Sequence, residues 1–176
     1  MIDLRQFKEN AIARNLCDKY AEMWTDNKSK RQLFEIACDT NGAEYMAESL
    51  SEGWGLSTEF IEEKFKSYIN GKYICKYKNS KGNGYDSAML CKYNESQFEV
   101  NTTLLCVLDS ETDLHIADNH FCRIYVAGKS YIHIVLGDES GCEIIAYGGE
   151  PMITGDVSDK KSVRIKRIMK GGKDNG

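Results

Sequence analysis

The sequence predicts an α+β protein: an N-terminal helical bundle, then a β-hairpin, then a short repetitive β-stack. Three observations predict it. Apolar residues recur at three- and four-residue steps through the first seventy positions, alternate beyond Gly71, and return every ten residues from Thr102. The segments are 1–71 (helical), 72–101 (hairpin and connection), 102–168 (repeat) and 169–176 (a flexible basic tail).

Asp3 is placed to cap a helix whose stripe is Leu4, Phe7, Ala11, Ile12, Leu16, Tyr20 and Met23, ending near Trp24. Ser29 and Gln32 form a capping-box pattern before Leu33, Ile36 and Ala37. Asn41-Gly42 is expected to break that helix, and Gly53 to stop the next. Trp54, between two glycines, is the expected wedge between helices, and Ser57 and Thr58 are candidate caps. Phe60, Ile61, Phe65, Tyr68 and Ile69 supply the last inward face, with Asn70-Gly71 as the stop.

KYICKYK (72–78) and SAMLCKY (87–93) read as strands joined by a long glycine-bearing loop. In the units that follow, the third residues are Leu104, Leu114, Ile124, Ile134 and Ile144, and the fifth are Cys106, Ile116, Val126, Leu136 and Ala146. Residues two apart leave one face of a strand, so each unit is about five residues of strand and five of turn. One such strand cannot bury its face alone, so the units must stack. A parallel β-solenoid and an antiparallel meander both satisfy this, and the sameness of successive turns favours the solenoid. In the sixth unit Pro151 precedes Thr154 and Asp156 in core columns. One extra residue then returns Val163 and Ile165 to phase, and VRIKRI reads as a closing edge strand.

The chain has 176 residues, 41% of them apolar and 28% charged, and a formal net charge of −4, as expected of a globular protein. The charge is uneven: from Ser158 onward it is +5, and before that −9. No secretory segment opens the sequence and no apolar run is long enough for a membrane helix, so a cytoplasmic, membrane-free protein is expected. The seven cysteines lack a C-x-x-C pair, which argues against a disulfide framework or a zinc ribbon. They read as structural.

Nucleotide-binding glycine motifs, the nucleophile elbow and the zincin motif are all absent. His115 and His133 occupy outward columns. With His120 and Asp113 or Glu143 they could approach a metal, but the plainer reading of Asp113, Arg123, His133 and Glu143 is one cross-strand ladder of mixed charge. Cys122 or Cys142 with His133 would lie on opposite strand faces, and Asp109, Glu111 and Asp113 read as turn acids. No catalytic residue, metal or cofactor is expected. A binding surface has better support: Lys72, Tyr73, Lys76, Tyr77, Lys78, Lys81, Tyr85 and Lys92 interleave cations with rings, the ingredients of single-stranded nucleic-acid contact, and also an ordinary exposed hairpin. Arg164, Lys166 and Arg167 add a basic end. The partly apolar fourth column (Leu105, Tyr125, Val135, Ile145) requires that the sheet's second face be covered, by the chain's own helices or by a partner.

The turn Trp54-Gly55-Leu56-Ser57 and the exit Asn70-Gly71-Lys72-Tyr73, followed by ten-residue strand repeats, resemble small proteins carried by phages and prophages of gut bacteria. The resemblance spans most of the chain, and its motifs are structural. It implies a non-enzymatic inhibitor acting by surface occlusion, of the anti-CRISPR kind, against a host nucleic-acid-targeting effector complex. A phage assembly component and a hydrolase are the alternatives.

Overall fold

The computed structural model describes residues 3–16, 18–25, 27–69, 74–77, 87–158 and 161–169. Its elements are α1 (Leu4–Ile12), α2 (Asp18–Met23), α3 (Lys30–Ala37), α4 (Thr40–Glu52) and α5 (Thr58–Ile69). The strands are β1 (Ile74–Tyr77), β2 (Ser87–Cys91), β3 (Gln97–Val100), β4 (Leu104–Leu108), β5 (Glu111–Ile116), β6 (Phe121–Ala127), β7 (Tyr131–Leu136), β8 (Gly141–Tyr147), β9 (Met152–Gly155) and β10 (Val163–Ile168).

Local signals place the helices. Asp3 accepts from the Gln6 amide at 2.9 Å and opens α1. The single helix expected as far as Trp24 is two, because Asn15 adopts φ 64° and the Leu16 amide returns to the Ala11 carbonyl. The capping box forms: the Ser29 amide donates to Gln32 Oε1 at 2.9 Å and the Gln32 amide to Ser29 Oγ at 3.2 Å. Asn41-Gly42 breaks no helix. Asp39 caps α4, and Gly42 sits inside its first turn against the Ile36 carbonyl, where a Cβ would come within 2.1 Å. Gly53 ends α4 at φ 74°, and Trp54 is the wedge, stacked on Phe7 with centroids 5.8 Å apart.

The strands form a β-solenoid. β2, β4, β6, β8 and β10 lie side by side in parallel, with β1 antiparallel to β2 at one edge, and β3, β5, β7 and β9 make a second parallel sheet. Successive ten-residue units therefore fall in opposite sheets, and the unit that stacks is a coil of about twenty residues: Ile124 pairs with Ile144, and Ile134 lies across the interior. Turns at both ends carry similar residues because both face the same demand for a sharp reversal.

One core fills the gap between the sheets: Leu105, Val107, Leu114, Ile116, Cys122, Ile124, Val126, Ile132, Ile134, Cys142 and Ile144 are all buried there. Leu104 and Cys106, expected in that interior, instead face the helices with Leu108, Tyr125, Ala127 and Tyr147. The coil from β4 to β6 is one residue short, so Leu105 pairs with Ile124, and a one-residue slip exchanges the two faces of a strand. The extra residue of the sixth unit lies ahead of β9: Ile132 pairs with Ile153, and Thr154 is turned outward beside His133. Pro151 stands just before this edge strand, where its missing N–H costs no ladder bond. Val163 and Ile165 are in phase with Cys142 and Ile144, although Ile165, with no coil beyond it, is 41% exposed.

The turns also stack. Lys92, Asp109, Gly128 and Gly148 follow one another at the same end of the solenoid, each with positive φ. Asp109 binds its neighbours at that end: Oδ1 accepts from the Lys129 amide at 2.8 Å, and Oδ2 accepts from Thr58 Oγ1, 2.6 Å away at the start of α5. Gly128 leaves room for that carboxylate, which a Cβ would meet at 2.1 Å. Asp109 thus joins two coils to the helical layer.

Ile124→Ala should cost about 2–5 kcal/mol and Ile165→Ala under about 1 kcal/mol, read as shifts of the urea midpoint. Asp109→Ala should cost about 1–3 kcal/mol, with Thr58→Val removing part of the same energy, because one amide and one hydroxyl lose their shared carboxylate acceptor.

Candidate binding surfaces

Among the described residues the helices pack on the larger sheet. α4 packs across β4, β6 and β8, with Ala43, Met46 and Ala47 against Leu104, Cys106, Tyr125 and Tyr147. The fourth column accordingly divides. Tyr125 and Ile145 lie under the helices, Leu105 is interior, and Val135 lies on the second sheet, which no helix covers among the described residues.

Of the residues expected to bind, Lys72, Tyr73, Lys78, Lys81 and Tyr85 lie outside the described residues, and of Lys76 and Tyr77 only the backbone, in β1, is described. Lys92 is engaged: its Nζ lies 2.9 Å from Glu59 and 3.4 Å from Glu62 on α5. Its hydrogen bond to Glu59 raises the ammonium's pKa and lowers the carboxyl's. Arg164, Lys166 and Arg167 share β10, the edge of the larger sheet. Arg164 points to the outer side, and Arg167 Nη1 donates to the Pro151 carbonyl at 3.1 Å.

The single mixed ladder expected of Asp113, Arg123, His133 and Glu143 is two, on opposite sides of the molecule. Arg123 and Glu143 pair at 2.7 Å on the larger sheet, where Arg164 stands in register with Glu143. Asp113 and His133 are in register on the smaller one. Glu111 and Asp113 are outward strand residues of β5, and only Asp109 of that trio is in a turn.

The cysteines whose side chains are described are all buried. Burial pushes the thiol of Cys91 up to about 12 and that of Cys142 up to about 11, and raises Cys106 and Cys122 as well. Cys122 and Cys142 lie in the interior and His133 lies on the outer face of the other sheet, so no thiol–imidazole pair forms between them. Among the described residues no three His, Cys, Asp or Glu are grouped to hold a metal, and no helix is long and apolar enough to cross a membrane.

Compared with family models, curated proteins and solved structures, the chain matches none.

The outer face of the smaller sheet therefore has to be read from its own residues. Its rows are Glu111, Tyr131 and Met152; Gln97, Asp113, His133 and Thr154; and Glu99, His115 and Val135. His133 Nδ1 lies 3.0 Å from Thr154 Oγ1. Tyr131 is 38% exposed and its neighbour Met152 58%. The residues that build this face were present in the sequence as outward columns. What hid it was the division of alternate units between two sheets, which cannot be seen until the coil length is known.

On the helical side, burial raises the pKa of Glu48, with further upward pushes from Glu52 and Glu44 against a downward one from Arg14. A carboxyl raised by folding favours the folded state most when protonated, so its contribution is present below its ordinary value and is lost as pH rises through the folded value. Glu48→Gln should therefore raise the melting temperature at neutral pH, and the two proteins should converge near about pH 4. Calorimetry across that range checks the sign.

Proposed function

We propose that the chain is a non-enzymatic binding protein that works by covering a surface of a partner protein. The observation that carries this reading is the asymmetry of the solenoid: helices bury the outer face of one sheet, while the other sheet keeps a flat outer face on which Tyr131 and Met152 stand exposed side by side. A two-sheet stack holds such a face rigid before contact, which lowers the ordering cost of binding. Buried thiols with raised pKa values further support a non-catalytic role. The sequence resemblance to phage and prophage proteins favours a mobile-element inhibitor of a host nucleic-acid-targeting complex, with the basic end, Arg164 and Arg167, as part of that contact.

A second reading, an assembly component, is favoured by the strand edges at β9 and β10, since an unpaired edge is a template for another strand. Against self-pairing of β10 stand its own cations: antiparallel pairing with its copy about Ile165 would set Arg164 opposite Lys166.

Affinity capture of the intact chain from host cells should recover one partner in fixed ratio, with recovery reduced at least severalfold by R164E/R167E, while the free chain keeps constant mass in sedimentation across a concentration series. Growth in mass with concentration, together with no partner, would overturn the inhibitor reading in favour of assembly.

A further inference from the structure

The charge of the uncovered sheet face is of one sign. None of the four strands β3, β5, β7 and β9 contains Lys or Arg, whereas Glu99, Glu111 and Asp113 all project from the outer side of the sheet. The larger sheet is different. There Glu143 is paired with Arg123 and has Arg164 on its other flank. Among the described residues no cation pairs with Glu99, Glu111 or Asp113, although the chain forms ion pairs at Glu9, Glu35, Glu59, Glu62, Glu63 and Glu143.

The acids lie on β3 and β5, to one side of the apolar pair on β7 and β9. Glu111 is in register with Tyr131, which is in register with Met152, and Asp113 and Glu99 continue the face along the strands. Exposed tyrosine and methionine are residue types enriched at protein contacts, and carboxylates on the same face that no described cation pairs remain available to cations brought by a partner.

We infer that the outer face of β3, β5, β7 and β9 is a docking surface for a Lys/Arg-rich protein surface, with Tyr131 and Met152 as its apolar anchor and Glu99, Glu111 and Asp113 as its charge partners. This goes beyond the basic-end contact and rests on the reading of the chain as a binding protein. Strands about 4.8 Å apart and about five residues long make a face of roughly 300 Å² in plan. That is small for a stable complex, so the contact is charge-steered and weakens as salt rises.

The probe is a fluorescein-labelled peptide of alternating arginine and alanine, titrated at neutral pH and low salt and followed by anisotropy. E99Q/E111Q/D113N should weaken its binding at least tenfold, and Y131A/M152A severalfold. D18N/E22Q/E52Q, which removes as many negative charges from the exposed helices, should change it less than twofold. Matching urea midpoints establish that each variant is folded, and E111Q alone, a single exposed amide replacement, should already weaken binding if the triple variant is unstable. Equal losses from the two triple variants would reduce the effect to net charge and overturn the assignment, as would no loss from either. A wild-type dimer dissolved by E99Q/E111Q/D113N would also overturn it, by making the basic end of a second copy the occupant. Capture of a host partner that survives E99Q/E111Q/D113N intact would leave the binding-protein reading standing and remove this face from it.

Discussion

The close packing of side chains between two parallel sheets is the interaction on which the rest of the molecule depends. Each strand has only a short apolar face, and no single coil can keep it dry. Leu105, Ile124 and Ile144 form one continuous row down one wall of the interior, and Leu114 and Ile134 form a row down the other. All five are fully buried. Removing one leaves a cavity bordered by neighbouring coils, so the loss is shared between them.

That constraint sets the turns and, through them, the position of the helices. Coils can stack only if each reverses within a few residues at the same height, and the column Lys92, Asp109, Gly128, Gly148 meets this with one left-handed residue per coil. Serine hydroxyls and amides link the same turns: the Tyr93 amide donates to Ser110 Oγ at 3.0 Å, and the Ser110 amide to Ser130 Oγ at 3.2 Å. Because Asp109 also accepts from Thr58, the turn column fixes the start of α5. The helices then seal one sheet and leave the other open. Among the described residues the charge follows the same division, with acids that no cation pairs on the face the helices leave and cations on the final edge strand.

Much of this could be read from residues. The capping box at Ser29 and Gln32, the stop at Gly53, the wedge at Trp54, the edge character of Pro151 and the phase of Val163 follow from local chemistry that the fold does not override. The coil length was not legible. A ten-residue period is equally consistent with a stack of ten-residue rungs and with a twenty-residue coil whose halves resemble one another, because both halves bury the same kind of face and turn by the same means. The placing of Leu104 and Cys106 on the wrong side and of Thr154 in the core follows from one-residue departures from the period, a short coil before β6 and an extra residue before β9. One misplacement follows from the ambiguity of coil length itself, the joining of Arg123 and Glu143 to Asp113 and His133. The open face was obscured for the same reason, since its acids look ordinary until the cations between them in sequence are carried to the other sheet.

The pairing of strands twenty residues apart is tested most directly by backbone nuclear Overhauser contacts in the isotopically labelled protein. Cross-strand contacts are predicted between Ile124 and Ile144 on one sheet and between Leu114 and Ile134 on the other, with the backbones of Ile124 and Ile134 separated by about 10 Å. Direct backbone contacts between Ile124 and Ile134 would contradict the two-sheet coil.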